Sequence, residues 1–239
     1  MPGESAAAAP SNLTLRVISS AVMAPVTIAV AWYGGWVFVL FWALAACIVL
    51  WEWSCLVTDS APRHYGPFAG WMIAGLLYAG VLLLAPVTLR RDPALGFIAV
   101  LFLFAVVWVT DIAAYFAGRA IGGPKLWASV SPNKTWSGAL GGALGGTAAG
   151  LAICRFAGLD LAPMLVLVAL ALSIASQLGD LLESAIKRHF GAKDASHLIP
   201  GHGGLMDRLD GFLTAVLAAS LIGLARGGLD GAAHGLLVW

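Results

Sequence analysis

The chain has 239 residues, of which 60% are hydrophobic and only 10% are charged, whereas about a quarter of the residues in soluble domains are charged. One soluble core could not bury so much apolar surface, so the composition predicts an all-α, polytopic membrane protein whose solvent is the bilayer. The formal net charge of +1 gives no indication of a nucleic-acid partner.

The predicted elements begin with a tail over residues 1–12, which carries an acid but no basic residue and therefore lacks the charge pattern of a signal peptide. We expect this tail to be disordered. Seven apolar segments then approach the length of about 20 residues that a spanning helix needs. These segments are 13–32, 36–57, 68–85, 94–117, 136–154, 162–183 and 212–224. Because Pro25 interrupts the first segment, that segment could instead be a re-entrant pair, so the number of spans stays open between six and nine.

The orientation of the helical bundle follows from its basic residues, since Lys and Arg collect in cytoplasmic loops. With seven spans, the 13 Lys and Arg residues divide nine to four between the two sides of the membrane. The side with nine contains the N-terminus and the two long polar loops, 118–135 and 184–211. We therefore expect both loops in the cytoplasm.

The Gly- and Ala-rich span 136–154 predicts a face for close helix packing. Ionisable residues are densest at the end of the sixth span. If that span stays helical to Arg188, then Asp180, Glu183 and Lys187 share one helix face. Two carboxylates one turn apart repel each other unless a cation lies between them.

Acidic residues recur at the start of the last span, where Asp207 and Asp210 are three residues apart. Carboxylate oxygens are ligands that Mg²⁺ prefers, usually together with water and substrate phosphates. The basic residues nearby could hold phosphate oxygens, and three glycines leave main-chain N–H groups free to approach a phosphate. These residues are Lys187, Arg188, Lys193, Arg208, Gly201, Gly203 and Gly204. Acids for a metal beside bases for phosphates favour phosphoryl or nucleotidyl transfer.

Three further residues outside these clusters are candidates for a functional role. His202 lies between glycines with little to pack against, which favours a functional role. Asp111 lies near the end of the fourth span, where an acid is costly in the membrane and favours function. Glu52, between Trp51 and Trp53 in the second span, is equally consistent with an interfacial acid and with a pocket residue.

The motif SAIKR at 184–188, followed by KD at 193–194, LIPGHGG at 198–204 and DRLD at 207–210, resembles the signature of the phosphatidate cytidylyltransferases, or CDP-diacylglycerol synthases. Upstream, SPNKTW at 131–136 resembles a second loop of that family. The chain departs from the family pattern at Asn133 and Ser137, where Lys and Glu are usual, so we expect no nucleotide contacts from these two positions.

The resemblance implies that CTP and phosphatidate react to give CDP-diacylglycerol and pyrophosphate, with the catalytic region over 93–239 and the N-terminal helices over 13–92. The implied catalytic residues are Asp180, Asp207, Lys187, Arg188, Lys193, Asp194, His202 and Arg208. The implied substrate-binding residues are Asp111, Ser131, Lys134, Thr135, Ser184, Gly203 and Gly204. The implied metal ligands are Asp180 and Asp207, then Glu183 and Asp210.

The resemblance also implies Mg²⁺ with K⁺ as the bound ions, a homodimer, and a place in the inner (plasma) membrane with the site facing the cytoplasm. Two other functions stay open: a CTP-dependent kinase of a polyprenol or phytol, and a membrane transporter with Asp111 and Asp180 as ion relays. Neither requires the complete motif over 184–210. The acid-rich helix pattern of CDP-alcohol phosphotransferases is absent from the sequence.

Overall fold

A computed structural model describes residues 12–59, 68–199 and 203–239, with side chains from residue 19 onward. Over these ranges the chain forms eight helices and one two-stranded sheet. The helices are α1 Asn12–Tyr33, α2 Gly35–Asp59, α3 Phe68–Arg90, α4 Gly96–Ile121, α5 Trp136–Phe156, α6 Pro163–His189, α7 Met206–Gly227 and α8 Ala232–Leu237. The strands β1 Lys125–Trp127 and β2 Ser131–Thr135 form an antiparallel hairpin between α4 and α5.

Six of the described helices, α2 to α7, are long and apolar enough to cross a membrane. This confirms the predicted all-α, multi-pass fold. The remaining predicted span, 13–32, coincides with α1, whose described apolar part covers Ser19–Tyr33. Because α1 continues through Pro25 as one helix, the re-entrant alternative is wrong. Of the predicted tail, residues 1–11 lie outside the described part of the chain, and Asn12 already belongs to α1.

Two helices extend beyond the predicted spans where the residues become charged. The sixth span was expected to end near 183, with continuation of the helix to Arg188 left open, and the last span was expected to begin near 212. In the structure α6 continues to His189 and α7 already begins at Met206. The acids and bases of the motif therefore stand largely on regular helix, which fixes their directions.

Helices α4 and α5 pack with their main chains in contact. A Cβ atom added at Gly142 would lie 2.8 Å from the Thr110 carbonyl oxygen, and one at Gly146 would lie 2.7 Å from the Val106 carbonyl oxygen. Only glycine allows so close an approach of two helices in lipid. The Gly-rich segment is thus a packing face, as predicted, and it holds one wall of the site in place.

The hairpin corrects a prediction, since the segment around Lys134 was expected to be part of the polar loop 118–135 but forms strand β2. The Thr135 hydroxyl accepts a hydrogen bond from the Gly138 N–H at 3.1 Å and so caps the start of α5. Ser137 donates to the Gly122 carbonyl oxygen, which ties α5 to the end of α4. The ends of α4 and α6, the starts of α5 and α7, and the hairpin consequently meet at one end of the bundle.

Candidate functional site

A cavity of about 890 Å³ lies at this end of the bundle, between α4, the hairpin, α5, α6 and α7. Five acidic and five basic side chains of the described residues line it. The acids are Asp111, Asp180, Asp194, Asp207 and Asp210. The bases are Arg119, Lys125, Lys134, Lys187 and Arg208. So many ionisable groups in an otherwise apolar membrane protein mark the candidate site, because charges within spans are retained chiefly for function.

Lys187 lies between two buried carboxylates. Its Nζ is 2.5 Å from Oδ1 of Asp207 and 2.7 Å from Oε2 of Glu183. All three residues are less than a tenth exposed. The sequence predicted a cation between Asp180 and Glu183 on this face of α6, whereas Lys187 lies between Glu183 and Asp207 of α7. Its ammonium group already pairs with two carboxylates and is therefore not free to bind a phosphate.

Asp207 organises the loop that precedes α7. Its Oδ2 accepts hydrogen bonds from the N–H groups of Gly204 at 2.7 Å and Ala195 at 2.9 Å. Gly203 has a φ of +82°, and a Cβ atom there would lie 2.8 Å from Asp207 Oδ2. Gly203 and Gly204 therefore allow the loop to close around Asp207, and neither residue lines the cavity.

Asp180 faces the cavity and forms an ion pair with Lys134 of β2. Both side chains are about a quarter exposed, at 27% and 28%. The Ser184 hydroxyl is 3.5 Å from Asp180 Oδ1 but does not reach the cavity. The ion pair between Lys134 and Asp180 links the hairpin to α6 across the cavity.

Three charged groups remain open to a bound molecule. Arg208 is exposed at the cavity wall and forms no ion pair within the described ranges. Asp210 also lines the cavity, and its Oδ1 accepts the N–H of Gly211 at 2.6 Å. Asp111 is exposed on the α4 wall of the cavity.

Several predicted site residues do not line the cavity. Arg188 is exposed and donates to the Ala192 carbonyl oxygen at 2.9 Å, and Lys193 is exposed on the loop. His202 lies outside the described residues. Also away from the lining are Ser131, Glu183, Ser184, Gly203 and Gly204. The cavity lining brings together five of the six predicted acids, all except Glu183, and three of the five predicted Lys and Arg residues.

Two basic residues of the lining were missed as site residues. Arg119 lies in the last turn of α4, where its Nη1 donates to the Tyr115 hydroxyl at 2.9 Å. Lys125 is the first residue of β1 and lies opposite Thr135. Both belong to the polar loop 118–135, so their position beside the expected substrate loop was the available signal. A Gly-Gly pair at 122–123 completes this part of the lining.

This lining can hold a divalent metal only if water and the phosphates of a bound substrate supply some of the oxygen ligands. Among the described residues, no three His, Cys, Asp or Glu side chains are arranged to hold a metal ion by themselves. Mg²⁺ commonly uses one or two carboxylates and takes its other oxygens from water and phosphates. Asp180 and Asp210 supply that number of cavity-facing carboxylates.

The chain is similar to known proteins over most of its length. Residues 53–224 match the model of the cytidylyltransferase family. The phosphatidate cytidylyltransferase of Brucella suis biovar 1 (strain 1330) is 40% identical over 253 aligned residues, which cover 89% of this chain and 94% of that relative. The phosphatidate cytidylyltransferase of Staphylococcus haemolyticus (strain JCSC1435) is 41% identical over 146 residues, 61% of this chain and 55% of the relative. The similarity to the Brucella relative thus extends over nearly the whole chain.

Proposed function

Because the chain belongs to the cytidylyltransferase family, as its motifs predicted, we propose that it joins the cytidylyl group of CTP to phosphatidate and releases pyrophosphate. It is a membrane-embedded nucleotidyltransferase. The observation that carries the proposal is the cavity at the polar end of the bundle, lined by five acids and five bases. Such a lining suits a reaction between two highly charged phosphates.

The proposed step is a displacement at phosphorus. An oxygen of the phosphatidate phosphate forms a bond to the α-phosphorus of CTP, and the bond between that phosphorus and the oxygen leading to the β-phosphate breaks. The electron pair leaves with pyrophosphate. Phosphatidate is already ionised at neutral pH, so the chain needs no strong general base. It needs to align the two anions and screen their repulsion, which is the main contribution of protein groups to such transfers.

The bases of the cavity provide this screening. Arg208 can hold two phosphate oxygens in a bidentate fork without breaking an ion pair to a described residue. Lys134 is paired with Asp180, so a polyphosphate would compete with that carboxylate for the ammonium group. Arg119 and Lys125 add positive charge on the α4 and hairpin side. We place the triphosphate among these four residues.

We propose that Asp180 and Asp210 hold Mg²⁺ when CTP is present. The Mg²⁺ would neutralise charge on the triphosphate and on the departing pyrophosphate. Asp207, an equally favoured ligand in the sequence, has both oxygens hydrogen-bonded to protein donors, and Glu183 faces Lys187. Asp207 and Glu183 would bind the Mg²⁺ only if the Lys187 ammonium group moved away from them. The K⁺ ion and the homodimer stay predictions from the resemblance.

The lipid would reach the cavity from the bilayer beside α4. Asp111 and Tyr115 line the cavity from within the span Gly96–Ile121, and both are exposed. Ile112 and Phe116, next to them, are 55% and 64% exposed, as lipid-facing residues are. CTP would enter from the cytoplasm, and we propose the inner membrane as the location because the relatives are bacterial.

The test is pyrophosphate release by the purified protein in detergent. We expect release to require both CTP and phosphatidate, and to fail with diacylglycerol, which lacks the attacking phosphate. Asp230→Asn, at an exposed site at the opposite end of the bundle, is the matched control for acid substitutions in the cavity. Pyrophosphate release that does not depend on phosphatidate would contradict the proposed function.

A further inference from the structure

Glu52 is a fully buried acid of α2 that does not belong to the cavity lining. Its exposed fraction is 0%. One carboxylate oxygen, Oε1, accepts hydrogen bonds from the Ser196 hydroxyl at 2.6 Å and the Leu205 N–H at 2.8 Å. The other, Oε2, accepts the Met206 N–H at 2.7 Å. Both readings left open by the sequence, an interfacial acid and a pocket residue, are therefore wrong.

The partners of Glu52 lie where α7 begins. Main-chain N–H groups at a helix start lack partners within the helix and carry partial positive charge, so they stabilise a buried carboxylate. A Cβ atom at Gly204 would lie 2.6 Å from Glu52 Oε1, so glycine is required for this contact. Glu52 thus caps α7 from another helix, across more than 150 residues of sequence.

Glu52 and Asp207 together accept the hydrogen bonds that hold the loop before α7 in place. Glu52 accepts the N–H groups of Leu205 and Met206, while Asp207 accepts that of Gly204. On the other side of residues 200–202, Glu52 holds Ser196 and Asp207 holds Ala195. Two buried carboxylates therefore fix both described sides of the loop to the first turn of α7.

The residues next to these anchors line the cavity. Asp194 precedes Ala195, and Arg208 follows Asp207 by one position. A shift of the loop or of the first turn of α7 would move both side chains relative to the other cavity walls. Misplacement of a substrate-holding group by about 1 Å can cost roughly 100-fold in rate.

We propose that Glu52 is a positioning residue for the transfer reaction, which sets the places of Asp194 and Arg208 without touching a substrate. The activity readout rests on the proposed function, whereas the geometry of the loop can be tested without it.

The chain offers a matched control in Asp92. Asp92 is also a buried acid, 4% exposed, that accepts three main-chain N–H groups. Two of them, those of Ala94 and Leu95, stand at the start of α4, and the third is that of His234 on α8. This cap lies at the end of the bundle away from the cavity. Asp92→Asn therefore measures what loss of a buried cap costs in stability alone.

The experiment compares Glu52→Gln with Asp92→Asn in purified, monodisperse protein. We expect Glu52→Gln to lower kcat/KM for CTP by about 10- to 100-fold, and Asp92→Asn to keep kcat/KM while lowering the thermal midpoint by a similar amount. We also expect faster tryptic cleavage after Lys193, which is exposed on the loop, in Glu52→Gln only. This cleavage reports loop geometry whether or not the parent protein transfers cytidylyl groups.

A kcat/KM within about twofold of the parent in folded Glu52→Gln would overturn the proposal. So would an equal loss in Asp92→Asn, because the effect would then be general instability. If Glu52→Gln does not fold, Ser196→Ala decides, since it removes one hydrogen bond of the same carboxylate. A reduced kcat/KM with faster cleavage in Ser196→Ala supports the proposal, and parent-like values of both overturn it.

Discussion

Two lysines form ion pairs with acids in and beside the cavity. Lys187 pairs with both Glu183 and Asp207 in a buried cluster, and Lys134 pairs with Asp180 at the cavity wall. The two pairs differ in burial, since the Asp180 side chain is 27% exposed and that of Asp207 is 4% exposed. Water can replace the lost interactions at an accessible carboxylate but not at a buried one, whose hydrogen-bond partners would be left weakly satisfied. Substitutions at the two aspartates should therefore have different effects.

We expect Asp180→Asn to lower kcat by about 100-fold or more, as loss of a metal contact would, while the thermal midpoint stays close to that of the parent. Asp207→Asn should also lose activity, but with a loss of about 3 kcal/mol in stability, because it disrupts a buried pair and two main-chain hydrogen bonds. Activity assays over a range of Mg²⁺ concentrations and thermal unfolding in detergent measure both quantities. Normal turnover of Asp180→Asn at saturating Mg²⁺ would remove Asp180 from the metal site.

Arg208 tests phosphate recognition. Its guanidinium makes no ion pair to a described residue, so it is not held by Asp207 or Asp210 in the structure. Arg208→Lys keeps the charge but loses the bidentate fork. We expect kcat/KM for CTP to fall about tenfold, as for one charge-assisted hydrogen bond of roughly 1.4 kcal/mol. A change confined to the KM for phosphatidate would instead assign Arg208 to the lipid phosphate.

At the scale of elements, the contact between α4 and α5 supports one wall of the cavity. Asp111 stands on α4 one residue after Thr110, which Gly146 approaches closely. A larger residue in the glycine face should therefore separate the two helices.

We expect Gly146→Ala to destabilise the protein by about 1–3 kcal/mol, because its Cβ would meet Val106, Thr110 and Ser173. Gly80→Ala in α3 is the control, since nothing lies within 4 Å of a Cβ there. That control should be neutral or stabilising by up to about 1 kcal/mol, from helix propensity. Thermal unfolding compares the two variants, and equal midpoints would contradict the packing role of Gly146.

The sequence predicted the elements that depend on composition and missed those that depend on long-range contacts. Apolar length located all six long spans, and the motif predicted the family. The hairpin was missed because three- and five-residue strands leave almost no periodic signal. The role of Glu52 was beyond prediction, since its partners lie about 150 residues away. The pairing of Lys187 with Asp207 likewise requires α6 and α7 to be packed together.

At the scale of the whole molecule, the orientation in the membrane follows from the division of the basic residues and awaits a test. The cavity end carries the loop before α7, where Leu198 is 49% exposed, and the opposite end carries Leu229, which is 61% exposed. Single cysteines at these two positions therefore report the two sides of the membrane.

We expect Leu198→Cys to react with a membrane-impermeant thiol reagent only in inverted vesicles. Leu229→Cys should react with the same reagent only in intact cells or right-side-out vesicles. The parent protein, whose three described cysteines are free, gives the background of labelling. Labelling of Leu198→Cys from outside intact cells would show that the topology is the reverse of the one predicted. The cavity would then not face the cytoplasmic CTP.

The family match favours cytidylyl transfer over both alternatives left open by the sequence, the CTP-dependent kinase and the transporter. The kinase alternative differs from the proposed reaction in which phosphate of CTP reaches the lipid. The α-phosphate is retained in CDP-diacylglycerol, whereas a kinase would transfer the γ-phosphate.

The most direct test follows the two phosphates separately. Purified protein is given phosphatidate, Mg²⁺ and CTP labelled either at the α-phosphate or at the γ-phosphate, and the lipid is then extracted and counted. We expect α-label to enter the lipid and γ-label to be recovered as pyrophosphate, with neither transfer in Asp180→Asn. Entry of γ-label into the lipid, or no incorporation from either position by the folded parent protein, would contradict it.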